Sequence, residues 1–204
     1  MSKSQNGWPV QLTTAGMWPH PLVGPILAGP VWVVFRWLIA AFDLNVEPVQ
    51  RAQSGCYNRR RIAGSSKWSN HSSATAVDLN WNLHPRRGKY IGFSKAQIAA
   101  ITAILHELRV IRWGGPAFND PMHFEIAPGV TLDQVEKVAT KLLQAQLVQL
   151  GYDLGKAGID GVRGPKTAAA LKTFQSDAGL KPDGVDGPKT WAAITTQLAQ
   201  EANA

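Results

Sequence analysis

Residues 160–167 read Asp-Gly-Val-Arg-Gly-Pro-Lys-Thr, and residues 183–190, 23 positions later, read Asp-Gly-Val-Asp-Gly-Pro-Lys-Thr. A chain that repeats itself in this way is expected to build one local structure twice. The Asp-Gly pairs supply a turn. Pro165 and Pro188 suit the first turn of a helix, where a missing N–H has no partner to lose. Each copy then runs into a helix-like pattern, AAALKTFQ after the first and WAAITTQLA after the second. Upstream, Leu143, Leu147 and Leu150 recur at helical spacing and Gly151 ends that run. The expectation is an all-α three-helix domain over residues 137–200. Calcium is not expected in its loops, because Val162 and Val185 stand where an EF-hand needs oxygen ligands.

The preceding residues have another character. ATAVDLNW (74–81) alternates, with Ala76, Asp78 and Asn80 on one face and Val77, Leu79 and Trp81 on the other. DPMHFE (120–125) does the same, setting His123 and Glu125 against Met122, Phe124 and the following Ile126. VIRW (110–113) reads as a further strand. Ser94 and Gln97 form a capping box for a helix through about Arg109, with Ile98, Ile101, Ile104, Leu105 and Leu108 as its apolar stripe. The run PVWVVFRWLIAAF (30–42) is interrupted by Arg36 and falls short of the roughly 20 apolar residues a membrane span needs. It also begins too late for an ordinary signal peptide. It reads as a buried amphipathic helix, so no stable membrane insertion is expected, and synthesis in the cytosol without an export signal. The fold class that follows is α+β: a small, mostly antiparallel sheet with packed helices over residues 1–130, bounded near APGV (127–130), then the three-helix domain.

Charge narrows the partners. Of the net +7, residues 1–135 carry +6, concentrated in Arg51, Arg59, Arg60 and Arg61 and again in Arg86, Arg87 and Lys89. Such clusters suit an anionic partner, whether nucleic acid, anionic lipid or a carboxylate-rich polymer. No stacking-aromatic or recognition-helix signature accompanies them, so nucleic acid is not expected. The single cysteine, Cys56, excludes an intramolecular disulfide and a Cys-rich zinc site. It leaves a cysteine nucleophile as an alternative, although no helix start follows it to activate the thiol.

Of the five histidines, His106 opens a His-Glu pair that lacks the second His four residues on, because position 110 is Val. His20 and His84 adjoin prolines in loop-like sequence. His71 and Asp78 stand in SNHSSATAVD, where small residues allow a tight turn, and Asp78 and His123 each occupy the polar face of a strand. Were those strands neighbours, His71, Asp78 and His123 would converge as two imidazoles and a carboxylate, the donor set of a catalytic zinc site with an open position. Asp120 could then serve as base and Glu125 could orient His123. Spacing alone leaves this reading and that of a solvated strand face both open.

His71, Ala76 and Asp78 in SNHSSATAVD, then WGG (113–115) and DPMHFE (120–125), resemble the motifs of zinc peptidases that cleave bacterial peptidoglycan. That family includes phage L-alanyl-D-glutamate endopeptidases (endolysins) and D-alanyl-D-alanine carboxypeptidases. The resemblance implies that His71, Asp78 and His123 bind Zn2+ and that Asp120 is the general base. It also implies an arginine upstream of His71 holding the oxyanion, best matched by Arg60 with Arg59 next, and Glu125 and Trp113 beside the site. Two positions depart from the pattern: Ala74 replaces the usual Gly, and PAF follows WGG. The C-terminal repeat is similar to a three-helix peptidoglycan-binding module found beside wall hydrolases. The implied activity is hydrolysis of the L-Ala–D-Glu bond of peptidoglycan stem peptides by a monomeric bacteriolytic enzyme of phage-lysin type, made in the host cytoplasm and acting in the periplasm or cell wall after release. A D-Ala-D-Ala or L,D-carboxypeptidase on the same site, or a Cys56-dependent wall peptidase, stands as the alternative.

Overall fold

Period-two alternation and helical apolar stripes, none of them long, become the layers of the first part of the chain. In the computed structural model, which describes residues 2–86 and 92–203, the order is β1 (Met17–His20), β2 (Gly24–Leu27), α1 (Pro30–Asn45), β3 (Ala76–Asp78), α2 (Lys95–Leu108), β4 (Ile111–Trp113), α3 (Gly114–Phe118), β5 (His123–Ile126), α4 (Leu132–Gln149), α5 (Pro165–Asp177) and α6 (Pro188–Ala202). Arg87 and Lys89 of the second basic cluster lie outside the described residues. The chain divides into two units, Met1–Val135 and Glu136–Ala204. No helix among the described residues is long and apolar enough to cross a membrane.

In the first unit β5 lies between β3 and β4, antiparallel to both. The register sets Asp78 opposite His123, and Ala76 and Arg112 on either side of Glu125, so these side chains share one face. The other face carries Val77, Trp113, Phe124 and Ile126 into the core with α1 and α2. There the Phe42 ring meets Phe124 edge-on at 5.9 Å, and Trp113 stacks on Phe124 at 6.2 Å. Each such buried side chain contributes about 1.5–3 kcal/mol. The capping box of α2 forms as the sequence predicts: Gln97 N–H donates to Ser94 Oγ and Ser94 N–H to Gln97 Oε1. Ile101, Ile104 and Leu108 fill the core, while Ile98 and Leu105 sit at its margin.

Two features depart from the sequence reading. The alternation of 74–81 does not continue to Trp81, which is 38% exposed. The strand ends at Asp78, and Asn80 takes a left-handed conformation (φ 51°) that turns the chain away. A second sheet, the β1–β2 hairpin, was not foreseen. It pairs Pro19 with Pro25, and proline withholds the ladder donor by which a strand is usually recognised.

His20, at the end of this hairpin, is 9% exposed and accepts a hydrogen bond at Nδ1 from the Leu22 N–H. Burial, aided by the charge of Arg36, pushes its pKa down to about 4. The unfolded chain binds a proton there from about pH 6.5 downward and the folded chain does not until about pH 4, so stability is lost as pH falls through that window. Urea unfolding at pH 7 and pH 4.5 is expected to show wild type losing about 2–3 kcal/mol more than His20→Gln between the two conditions. Equal losses would exclude a buried neutral imidazole.

The second unit explains its own repeat. Leu143, Leu147, Leu171, Phe174, Trp191 and Ile194 form its core. Gly151, at φ 82°, ends α4, with its N–H donating to Val148 and that of Tyr152 to Leu147. Helix α4 starts at Leu132, ahead of the expected position 137. The side-chain amide of Gln144 donates to Asp160 Oδ1, the Val162 carbonyl and Thr167 Oγ1, and accepts from the Gly161 N–H. Gln175, 31 positions on, makes the same four contacts with the loop residues that recur 23 positions on, Asp183, Val185, Thr190 and Gly184. Each loop is therefore gathered onto a buried glutamine. At the one position where the two octapeptides differ, Arg163 and Asp186 pair with each other at 2.8 Å.

Candidate metal centre

The three ligand candidates reach one point from separate elements. His71 lies in a short 3-10 turn, Asn70–Ser73, capped by the Ser69 hydroxyl. Asp78 ends β3 and His123 begins β5. The turn closes on Ala74 in a left-handed conformation (φ 55°), fully buried. Glycine adopts that conformation without penalty, whereas an L-residue bears a strain of about 1 kcal/mol. Ala74 thus holds a conformation that favours glycine and adds a buried methyl.

His71 Nε2 is 3.2 Å from Asp78 Oδ2 and 3.2 Å from His123 Nδ1, and His123 Nδ1 is 2.8 Å from Asp78 Oδ1. Tetrahedral ligands at zinc–ligand distances stand about 3.3 Å apart, so the spacing fits. Protonation fits as well. His71 Nδ1 donates to the Cys56 carbonyl at 2.6 Å and His123 Nε2 to Glu125 at 3.0 Å. Were each ring neutral, it would turn a lone pair toward the Asp78 carboxylate, an arrangement that calls for a cation among the three atoms, whether a metal ion or, in its absence, a proton on His123. The same field appears in the titrations. Burial would lower His123, but its hydrogen bonds to Asp78 and Glu125 carry it up to about 9. Burial would raise Asp78, but the two imidazoles hold it far below the carboxylate range. Among the described residues, His71, Asp78 and His123 are the group placed to hold a metal.

These atoms line a cavity of about 220 Å3 together with Arg60, Arg86, Arg112, Phe118, Asp120 and Met122. Asp120 is buried and its Oδ1 has no hydrogen-bond partner among the described residues, while Oδ2 lies 3.6 Å from Arg86 Nε. Burial raises its pKa, against the opposing charge of His123. Its loop is held from behind: Asp120 N–H donates to Gly114, and Trp113 Nε1 donates to the Pro121 carbonyl at 2.7 Å. The WGG motif is steric in origin. A Cβ on Gly114 would come within 2.6 Å of the Asp120 carbonyl, and one on Gly115 within 2.8 Å of the Trp113 ring. Trp113 is itself buried and supports the Asp120 loop without lining the cavity.

Glu125 is 1% exposed, yet fully partnered. One oxygen accepts from His123 and from the Asn70 amide, the other from the Arg112 guanidinium. Burial would raise its pKa, but these donors, His123 first, keep it low. Asn70 and Arg112 were missed by the sequence reading, because their partner is distant in the chain and nothing local marks them. Of the three consecutive arginines, Arg59 and Arg61 lie over the Trp68 ring at 5.0 and 4.5 Å. Arg60, between them, faces the other way into the cavity, and its guanidinium makes no hydrogen bond or ion pair among the described residues. The remaining histidines have other work: His84 pairs with Glu47 at 2.7 Å and stacks on Phe93, and His106 is exposed. Cys56 is 3% exposed, and burial, with the charge of Asp78, drives its thiol well above the ordinary range. It serves the site through its carbonyl, and the burial of its thiol disfavours the alternative of a Cys56 nucleophile.

Comparison with known proteins divides the chain in the same order. Residues 63–126 match the model of a family described as D-alanyl-D-alanine carboxypeptidase, and residues 137–194 match that of a peptidoglycan binding domain. Over 35 residues, 17% of this chain, the sequence is 60% identical to the type VI secretion system spike protein VgrG3 of Vibrio cholerae serotype O1, and the match spans 3% of that protein's length. No solved structure matches.

Proposed function

Starting from a chain that joins a peptidase domain of the D-alanyl-D-alanine carboxypeptidase family to a peptidoglycan-binding domain, we propose a zinc-dependent endopeptidase that hydrolyses the L-Ala–D-Glu bond of peptidoglycan stem peptides. The observation that carries this reading is the meeting on one small cavity of two imidazoles and a carboxylate with Asp120 Oδ1 and the Arg60 guanidinium, neither of which has a hydrogen-bond partner among the described residues. His71, Asp78 and His123 would hold the zinc. When bound, a zinc ion would polarise the scissile carbonyl and make water acidic enough to deprotonate near neutral pH.

The chain's own residues do the rest. Asp120 takes the proton from the attacking water and returns it to the leaving amine, so its free oxygen must face the cavity. Arg60 sets its positive charge against the oxyanion that develops on the carbonyl. Glu125 keeps the His123 ring from rotating. Arg86 and Arg112 add positive charge to the rim, which suits a substrate with free carboxylates. The second unit would hold the enzyme on the wall, where lysis of the bacterial cell is the expected consequence.

A second reading, a D-Ala-D-Ala or L,D-carboxypeptidase on the same site, is favoured by the description of the matching family. The two differ in product. Digestion of defined peptidoglycan, followed by mass analysis, is expected to release stem peptides with a new N-terminal D-Glu, and to release none after chelation until zinc is restored. Free D-Ala or a shortened stem would establish the carboxypeptidase, and unchanged walls would end both readings.

A further inference from the structure

We infer that residues Ser4–Asn6 form a positioning element of this centre, acting on His123 through Asn70 and Glu125; the inference rests on the metal reading above. The connection is a single oriented chain of hydrogen bonds. The Asn6 backbone N–H donates to Asn70 Oδ1 at 2.8 Å. With its oxygen so engaged, the Asn70 amide must turn its NH2 toward Glu125, to which it donates. The same Glu125 oxygen accepts from His123 Nε2 at 3.0 Å, which leaves Nδ1 facing Asp78 and His71. Were Asn6 absent, the Asn70 amide could rotate by half a turn and set its carbonyl oxygen against the carboxylate.

The segment is anchored to both strands that carry ligands. Asn6 Nδ2 donates to the Ile126 carbonyl at 3.0 Å, at the end of β5, and to Thr75 Oγ1 at 2.9 Å, just before β3. The Ser4 hydroxyl holds Asn6 Oδ1 at 2.7 Å and meets Ser73 Oγ at 2.9 Å. Ser4, Asn6, Asn70 and Glu125 are all at least nine-tenths buried, so water does not compete for these bonds and each partner matters more. Gln5, between the two anchors, itself lines the cavity. Partners that orient a metal-binding histidine in this way are worth about 10–100-fold in metal affinity.

Zinc dissociation constants, measured by competition with a chromophoric chelator, test this in the full chain alongside thermal unfolding of the metal-free protein. Asn6→Ala keeps the backbone N–H but removes the side-chain anchors that hold it against Asn70; it is expected to weaken zinc binding about 10–100-fold in a protein that still folds, and to lose the downfield His123 Nε2–H proton resonance of the zinc-loaded form. In an Asn70→Ala background the same change is expected to have no further effect on zinc affinity, because the route is already cut. A lowered melting temperature with unchanged zinc affinity, or equal losses of affinity in both backgrounds, would overturn the inference and leave the segment a structural one. Should Asn6→Ala not fold, Ser4→Ala removes one hydroxyl from the anchor and must weaken zinc binding in the same direction to a smaller degree. A wild-type chain that takes up no zinc would refute the metal reading itself, a result distinct from either.

Discussion

Exchanging Asp120 for asparagine is expected to lower turnover of wall peptides by about 10²–10⁴-fold while zinc content stays at the wild-type level. His123→Ala is expected to lose metal and activity together. The two variants separate proton transfer from metal binding because the residues stand on different supports. Asp120 sits in the loop that Gly114 and the Trp113–Pro121 bond fix from behind, and asparagine keeps its shape. What asparagine cannot do is accept a proton at the oxygen that has no partner among the described residues. His123 is one of three converging donors, and its removal also strips Glu125 of a donor within the buried network. Metal analysis of the purified variants and product formation on solubilised walls are the measurements. Full turnover by Asp120→Asn would mean that the proton leaves by another group, with Glu125 disfavoured because all its partners are already committed. Zinc retained by His123→Ala would mean that the three donors do not form the site.

What the sequence disclosed follows the range over which its signals act. The period-two pattern of His123 and Glu125 against Phe124 and Ile126, the Ser94–Gln97 box and the Gly-Pro helix starts are local, and each survives folding with little change. The polar face of β5 was legible as polar but not as buried, since the sequence does not state what covers it; His123 and Glu125 are 8% and 1% exposed. Partnerships across long stretches of chain were not legible. Asn70 grips Glu125 across 55 residues, and Asn6 grips Ile126 across 120. Cys56 contributes a carbonyl that any residue would supply, so nothing in its side chain announced that role. Which of the arginines lines the cavity depends on Trp68, whose ring takes Arg59 and Arg61 and leaves Arg60 to the cavity. The β1–β2 hairpin was hidden by its prolines, which break the pattern a strand normally writes.

Replacing Gln144 or Gln175 by leucine is expected to destabilise the second unit by about 2–5 kcal/mol, more than any change of its exposed side chains. Leucine preserves the volume, so the loss is one of hydrogen bonding and not of packing. Each glutamine is 1% exposed and gathers four groups of its loop: an aspartate, a carbonyl, a threonine hydroxyl and a glycine N–H. A hydrocarbon in its place leaves the glycine N–H with no other acceptor among the described residues, at about 1–3 kcal/mol, and takes one further hydrogen bond from the aspartate, the carbonyl and the threonine, which keep a partner within the loop. A unit of this size has a total stability of only about 3–10 kcal/mol, so one substitution removes a large part of it. Hydrogen exchange resolved by peptide is the suitable measurement, since it reports α5 and α6 separately from the first unit. Faster exchange confined to residues after Glu136 is the expected result. By contrast, Arg163→Ala breaks a partly exposed ion pair between the two loops and is expected to cost under about 1 kcal/mol. The ordering of these two effects is the sharper test. If Arg163→Ala proves the more damaging, the repeat is held together by the charges at its one point of difference, and the shared glutamine clasp is incidental.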